Sequence, residues 1–311
     1  MAHLRIGSRG SKLALWQAEH IAALLEKQGH TTAIEIIKTT GDKITDVALA
    51  QVGTKGMFTK EIEEALRDGH IDLAVHSLKD LPTEIDPAFA LAAIPAREDP
   101  RDAFISQRHG RFDDLPQGAV VGTSSLRRQA QLQALRPDLK FVPLRGNIDT
   151  RLRKLALGDF AAIILAAAGL RRLGLDAEIR AYFPPEVMCP AVGQGALAVE
   201  TRASDAATQE AVAFLDHAAT RNAVLCERAL LRRLGGGCQV PIGAYAICSD
   251  SGLTLRAIVA PPGGGTVLTA GQNGKAAEPL GIAVAEALLA QGAQQILDAV
   301  YNSGAAVPEQ P

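Results

Sequence analysis

At 311 residues, with 47% apolar and 21% charged side chains, the chain has room for two or three domains of ordinary globular balance. A net charge of −2 and only 4% aromatic residues argue against nucleic acid or a membrane surface as the partner of the chain as a whole. Cys189, Cys226, Cys238 and Cys248 form no C-x-x-C pair and no zinc spacing, which points to reduced thiols in a cytoplasmic protein; no export signal is expected, and no apolar run reaches the length of a membrane span.

Leu4–Ser8 reads as a short buried strand. Ser11 is placed to cap a helix that runs to Lys27 and is closed by Gly29. The β-branched stretch Thr32–Lys38 predicts a second strand, Thr39–Asp46 a polar turn, Phe58–Asp68 a helix stopped by Gly69, and Ile71–Leu78 a third strand. Pro82 then forces Leu81 out of the helical region. Strands alternating with helices predict an α/β, doubly wound lobe. A second such lobe follows: strand Ala119–Ser124, helix Leu126–Leu135, strand Phe141–Leu144, helix Asn147–Leu157 and strand Ala161–Ala167.

Pro95–Pro100 and Cys189–Gly195 are rich in Pro and Gly and predict two crossings between the lobes, hence a cleft that opens and shuts. From about Ala219 the pattern changes to a small α+β domain. It has a helix (Asn222–Leu234), a Gly-Gly-Gly-Cys loop and a three-stranded antiparallel sheet (Gly243–Ile247, Leu253–Val259, Thr266–Ala270). Helices then run through Tyr301, and Gly304–Pro311 is expected to be disordered. The expected domains are residues 1–95 with 196–215, residues 100–190, and residues 219–311.

Charge is the strongest chemical signal. Between Val120 and Leu175 ten basic residues face three acidic ones, so this stretch is +7 and the remainder −9. Arg127 and Arg128 follow Thr123-Ser124-Ser125, where a strand end passes into a helix start and free backbone N–H groups favour an anion. Arg145, Arg171 and Arg172 lie just beyond the next two strand ends. A single arginine is ordinarily a solvated surface charge, but three successive strand ends on one sheet edge imply a polyanionic ligand. In the first lobe, His76-Ser77-Leu78-Lys79-Asp80 ends a strand on polar residues, and a carboxylate there could steady a developing cation or pass a proton. By itself Lys79-Asp80 reads equally well as an exposed neighbour pair. His76 reads as a supporting residue. Gly53–Phe58 is not a phosphate loop, and no metalloprotease or nucleophile-elbow motif is present.

Taken together the segments IGSRGSKLALWQ, KGMFTKEIE, DLAVHSLKDLPT, REDPRDAF, VGTSSLRRQAQL, LRGNIDTRL, AAIILAAAGLRRLGL, PAVGQGALAVE and GGGCQVPIGAYA resemble, in order and over nearly the whole chain, the hydroxymethylbilane synthase (porphobilinogen deaminase) family of tetrapyrrole biosynthesis. The resemblance implies two lobes arranged like a periplasmic binding protein and a third domain. It also implies a dipyrromethane cofactor joined to Cys238 through a thioether, and Asp80 as the catalytic carboxylate. The implied reaction joins four porphobilinogen molecules head to tail, loses four ammonia, and releases hydroxymethylbilane by hydrolysis. By the family pattern, Arg9, Ser11, Lys79, Ser125, Arg127, Arg128, Arg145, Arg151 and Arg172 contact cofactor and substrate carboxylates, while Lys55 and Phe58 lie in a mobile loop over the cleft. A monomer is implied.

Two positions depart from the pattern. Gln51 stands where many members have lysine, and Cys189 offers a rival thiol at a position usually aliphatic. Two other readings fit part of the sequence. A two-lobed anion-binding protein without chemistry would explain the lobes and arginines but not the GGGCQ loop. A nucleic-acid binder would explain the arginines alone.

Overall fold

The computed structural model describes residues 1–39, 59–236 and 240–302. Lys55, Phe58, Cys238, Gln51 and the tail after Asn302 lie outside the described residues, as does most of the expected turn Thr39–Asp46.

The first strands are β1 (His3–Ser8), β2 (Thr31–Ile36), β3 (Leu73–Ser77) and β4 (Phe89–Ala93). A second sheet is built from β5 (Asp102–Ile105), β6 (Val120–Gly122), β7 (Lys140–Val142), β8 (Ala162–Ala166) and β9 (Ala181–Phe183), in the order β7-β6-β8-β5-β9. The chain then returns to the first sheet as β10 (Leu197–Arg202), giving the order β2-β1-β3-β10-β4. A third sheet is antiparallel, β11 (Ile242–Ser249), β12 (Gly252–Val259) and β13 (Leu268–Gly274). The fold is therefore α/β in two lobes with a small α+β unit, as the alternation of strand and helix predicts.

Local chemistry explains most of the boundaries. The Ser11 hydroxyl accepts from the Ala14 N–H (3.3 Å) at the start of the Lys12–Lys27 helix, and Gly29 takes the left-handed conformation just past its end. Leu81 is extended before Pro82, as expected. Strand β7 stops at Val142 rather than Leu144 because Pro143 has no N–H to extend the ladder. The helix predicted from Asn222 begins at Ala218, since His217 caps it by accepting from the Thr220 N–H (3.3 Å). Strand β13 continues through Gly271-Gln272-Asn273-Gly274, beyond the predicted Ala270, because β12 pairs with it as far as Leu253 opposite Gly274.

Each unit closes over its own apolar core. Leu4, Ile6, Ile21, Leu25, Leu73 and Val199 fill the first lobe; Phe104, Val121, Leu132 and Ile164 lie on one face of the second sheet. Leu230, Leu255 and Leu288 centre the third core between the Ala218–Arg233 helix, the sheet and the Ala277–Ala290 helix. No single helix among the described residues is long and apolar enough to cross a membrane.

Two chain segments cross between the lobes side by side, 94–101 and 184–196. The Glu98 N–H donates to the Gly195 carbonyl (3.1 Å), which also accepts from Arg172 Nη2 (2.6 Å). Glu227, wholly buried on the Ala218–Arg233 helix, accepts from Arg97 Nη1 (2.6 Å) and Nη2 (3.3 Å), and from the N–H groups of Gly193 (2.7 Å) and Ala246 (2.8 Å). One carboxylate thus ties both crossing segments to the third unit, with its lone pairs satisfied.

Gly195 has φ +89°, and a Cβ there would lie 2.3 Å from the Glu98 carbonyl oxygen. Side chains disfavour this conformation and the neighbouring crossing segment leaves no room for one. Gly195→Ala is expected to lower stability by about 2–4 kcal/mol, read as a reduced urea midpoint. An unchanged midpoint would show that the two crossing segments can part without cost.

Candidate active site

Strands β1 and β3 run parallel, so Arg9 and Ser11, which follow β1, and Lys79 and Asp80, which follow β3, lie at one edge of the first sheet. Strands β6, β7 and β8 are likewise parallel, which brings Ser125–Arg128, Arg145 and the Ala167–Arg172 helix to one edge of the second. These are the carboxyl ends of the strands, where α/β folds bind ligands. Across the gap, Lys12 pairs with Asp149 (2.9 Å), and the Arg172 guanidinium lies 6.0 Å from the Trp16 ring centroid.

Asp80 is exposed at the end of a 3-10 turn, Leu78–Asp80, directly after β3. Lys79 beside it is half-buried, and burial of its ammonium pulls its pKa down to about 8; the charges of Asp80 and Asp102 oppose that, while those of Arg128 and Arg127 add to it. Arg151, on the Ile148–Ala156 helix of the second lobe, is drawn down to about 10 by burial and by the like charges of Arg128 and Arg145, with Asp80 working the other way. Asp80, Lys79, Arg127, Arg128, Arg145 and Arg151 therefore share one electrostatic site that spans both lobes. Burial also lowers Arg172 to about 10, but its charged neighbour is Glu98 of the crossing segment. It sits at the root of the cleft rather than in this cluster.

The two adjacent arginines prove to be anchored. Asp102, wholly buried at the start of β5, accepts from Arg127 Nη1 (2.8 Å) and Nη2 (3.2 Å), Arg128 Nε (2.9 Å) and Gln194 Nε2 (3.0 Å). Arg127 Nη1 also donates to the Cys189 carbonyl (2.5 Å), and Arg128 Nη1 to that of Ile164 (3.1 Å). Burial would raise the Asp102 carboxyl, yet the two guanidinium charges and their hydrogen bonds hold it well below the usual range. Ser125 accepts from the Arg128 N–H (3.4 Å) and caps the helix that carries both arginines.

His76, read from the sequence as a supporting residue, is buried with Nε2 3.0 Å from Glu200 Oε2 on β10. Cys189 is buried too, with its thiol pushed up to about 12 by burial, and Cys226 is raised to the same value. Neither presents a thiolate at neutral pH.

Residues 4–210 match the family described as porphobilinogen deaminase, dipyromethane cofactor binding domain, and residues 222–290 match porphobilinogen deaminase, C-terminal domain. The chain belongs to the porphobilinogen deaminase family. Among relatives of this family, the porphobilinogen deaminase of Nitratidesulfovibrio vulgaris (strain DP4) is 53% identical over 98% of this chain and 99% of its own length. That of Chromobacterium violaceum is 52% identical over 96% and 98%. A solved structure of the methionine-binding protein MetQ overlaps 68% of this chain and 89% of its own at 14% identity, with a TM-score of 0.45.

Sequence reasoning missed Asp102, Gln194, Arg97 and Glu227. Only the polar start of the otherwise apolar Asp102–Ile105 segment hinted at the first of these. The Asp102 carboxylate has a depressed folded-state pKa, so its contribution is fully present above the unfolded value near 3.9 and fades as pH falls below it. Asp102→Asn leaves two buried guanidinium groups short of a counter-charge and is expected to cost about 3–5 kcal/mol at neutral pH. In urea unfolding, the gap between parent and variant should stay constant from pH 7 to about 5 and narrow below about 4. A gap independent of pH down to about 2 would rule out the charge as its source.

Proposed function

We propose that Asp80 is the catalytic carboxylate of this enzyme and that the cations around it hold the acid side arms of its pyrrole ligands. The enzyme condenses four porphobilinogen molecules head to tail, with loss of four ammonia, and releases hydroxymethylbilane by hydrolysis. The observation that carries the residue assignment is the meeting of Lys79, Arg128, Arg145 and Arg151 around one exposed carboxylate across the cleft. Cations that are desolvated together and lower one another's pKa are stabilised by anions placed between them. The acetate and propionate arms of a dipyrromethane fit that donor set.

When bound, the dipyrromethane supplies the free α-carbon of its terminal ring as nucleophile. Asp80 stabilises the positive charge that develops at the pyrrole N–H of porphobilinogen as ammonia leaves. Lys79, Arg145 and Arg151 grip ring carboxylates, with guanidinium forks offering paired bonds and lysine a point charge. Arg128 contributes charge and its remaining donors. Arg127, committed to Asp102 and the Cys189 carbonyl, acts mainly as a positioning residue. Arg9, Ser11 and Ser125 flank the same carboxylates at the strand ends, Arg172 serves a ring carboxylate from the root of the cleft, and Lys55 and Phe58 complete the set on the resemblance alone.

Cys238 is the proposed attachment residue. Burial disfavours a thiolate at Cys189 and Cys226, and the half-buried Cys248 packs against the third core. The proposed units are residues 1–95 with 196–215, 100–190 and 219–311, since each range holds one of the three sheets. We further infer a monomer that works in the cytoplasm on a small-molecule substrate; the near-neutral net charge of −2 speaks against nucleic acid or a membrane surface as partner.

Intact mass spectrometry is expected to find the chain heavier than 32.7 kDa by one dipyrromethane, and Cys238→Ser to abolish the addition. An active enzyme of unmodified mass would refute the tether. Asp80→Asn should keep the cofactor and bind porphobilinogen while turnover falls by about a hundredfold or more. Near-parental turnover would remove Asp80 from the mechanism.

A further inference from the structure

The third sheet buries one face and only half of the other. Leu253, Leu255, Ala257 and Val259 enter the helical core, while Ile258 on the opposite face packs against Ala130 and Cys189 of the second lobe. Tyr245 and Val267 pack against the edge of the same cluster. Between β11–β13 and the Pro185-Glu186 segment lies a cavity of about 340 Å³, within the size range of small-molecule sites.

Its walls have a definite chemistry. Pro185, Tyr245 and Ile247 give apolar surface, and Ile247 is 51% exposed although it is a large aliphatic side chain on a strand. Gly271, opposite Arg256 in the ladder, contributes backbone alone to the wall. Among the described residues, Arg256 is the one cation lining the cavity. Its Nη2 donates to the Glu186 carbonyl (3.2 Å), but its Nε is buried without an acceptor. The side of the guanidinium that faces the cavity, not the enclosed Nε, is what a ligand acid would meet. The Glu186 carboxylate at the same wall disfavours ligands of higher negative charge.

The cavity also reaches the hinge. Tyr245 carries the Arg97 guanidinium 5.1 Å from its ring centroid. Arg97 in turn grips Glu227 and donates from Nε to the Gln194 carbonyl (2.8 Å). A ligand that shifts the Tyr245 ring acts on the group that joins both crossing segments.

We propose that this seam cavity is an effector site for a small apolar molecule bearing one acid group. The acid meets Arg256, the hydrocarbon body lies against Tyr245 and Ile247, and occupancy is transmitted to the lobes through Tyr245 and Arg97.

The test titrates the cofactor-loaded enzyme with 8-anilinonaphthalene-1-sulfonate, a flat apolar body with a single acid group, and follows its fluorescence. One saturable site is expected. Arg256→Gln should weaken it by at least about tenfold, and so should Ile247→Glu, a change at an exposed position that the fold can absorb; Arg256→Lys should largely restore it. With the dye saturating, kcat for porphobilinogen should change while KM does not, and the change should vanish in Arg256→Gln. Equal affinity in parent, Arg256→Gln and Ile247→Glu would overturn the site. A rise in KM alone would do so too, since it places the dye in the catalytic cleft. Saturable binding lost in Arg256→Gln but without effect on kcat would overturn the link to the hinge.

Discussion

Two buried carboxylates hold the lobes in register, and the rest of the molecule hangs from them. Asp102 gathers Arg127, Arg128 and Gln194, while Glu227 gathers Arg97, Gly193 and Ala246. Gln194 links the two, since its amide donates to Asp102 and its carbonyl accepts from Arg97. Removing one partner from a buried pair leaves an uncompensated charge, which costs far more than the intact pair contributes. The network is therefore best understood as a specification of geometry. It fixes where the parallel strand ends of one lobe stand relative to those of the other.

That geometry decides what the cleft can do. Lys79 and Asp80 leave β3 on a short turn, and Arg128, Arg145 and Arg151 come from three places in the second lobe. None of these would form a site within its own lobe. The electrostatics become useful only when the two edges face each other, because a lone carboxylate among desolvated cations can act on a reacting ring while the cations hold its acid arms.

Much of this was legible in the chain. The parallel strands β1, β3, β6 and β8 have helices between them, and their apolar runs and capping residues such as Ser11 and Ser125 are local signals. The arginine-rich strand ends were visible too, because charge beyond a strand end needs no knowledge of distant partners. Strands β4, β5, β9 and β10 were not. They are short, and they earn their conformation from partners far away in sequence, as when Asp102–Ile105 pairs with both β8 and β9. The same holds for the two carboxylates. Nothing near Asp102 announces Arg127, and nothing near Glu227 announces Arg97. Family pattern supplied Asp80 and Cys238; for Asp80 the residues alone left an exposed neighbour pair as an equal reading.

The Lys12–Asp149 bridge has a bearing on how the cleft works. Both side chains are largely in solvent, and ion pairs of that kind contribute little and weaken with salt. The molecule is thus stiff at its root, where charges are enclosed, and loose at its lip. An entrance joined by such a pair parts there at small free-energy cost, and added salt lowers that cost further.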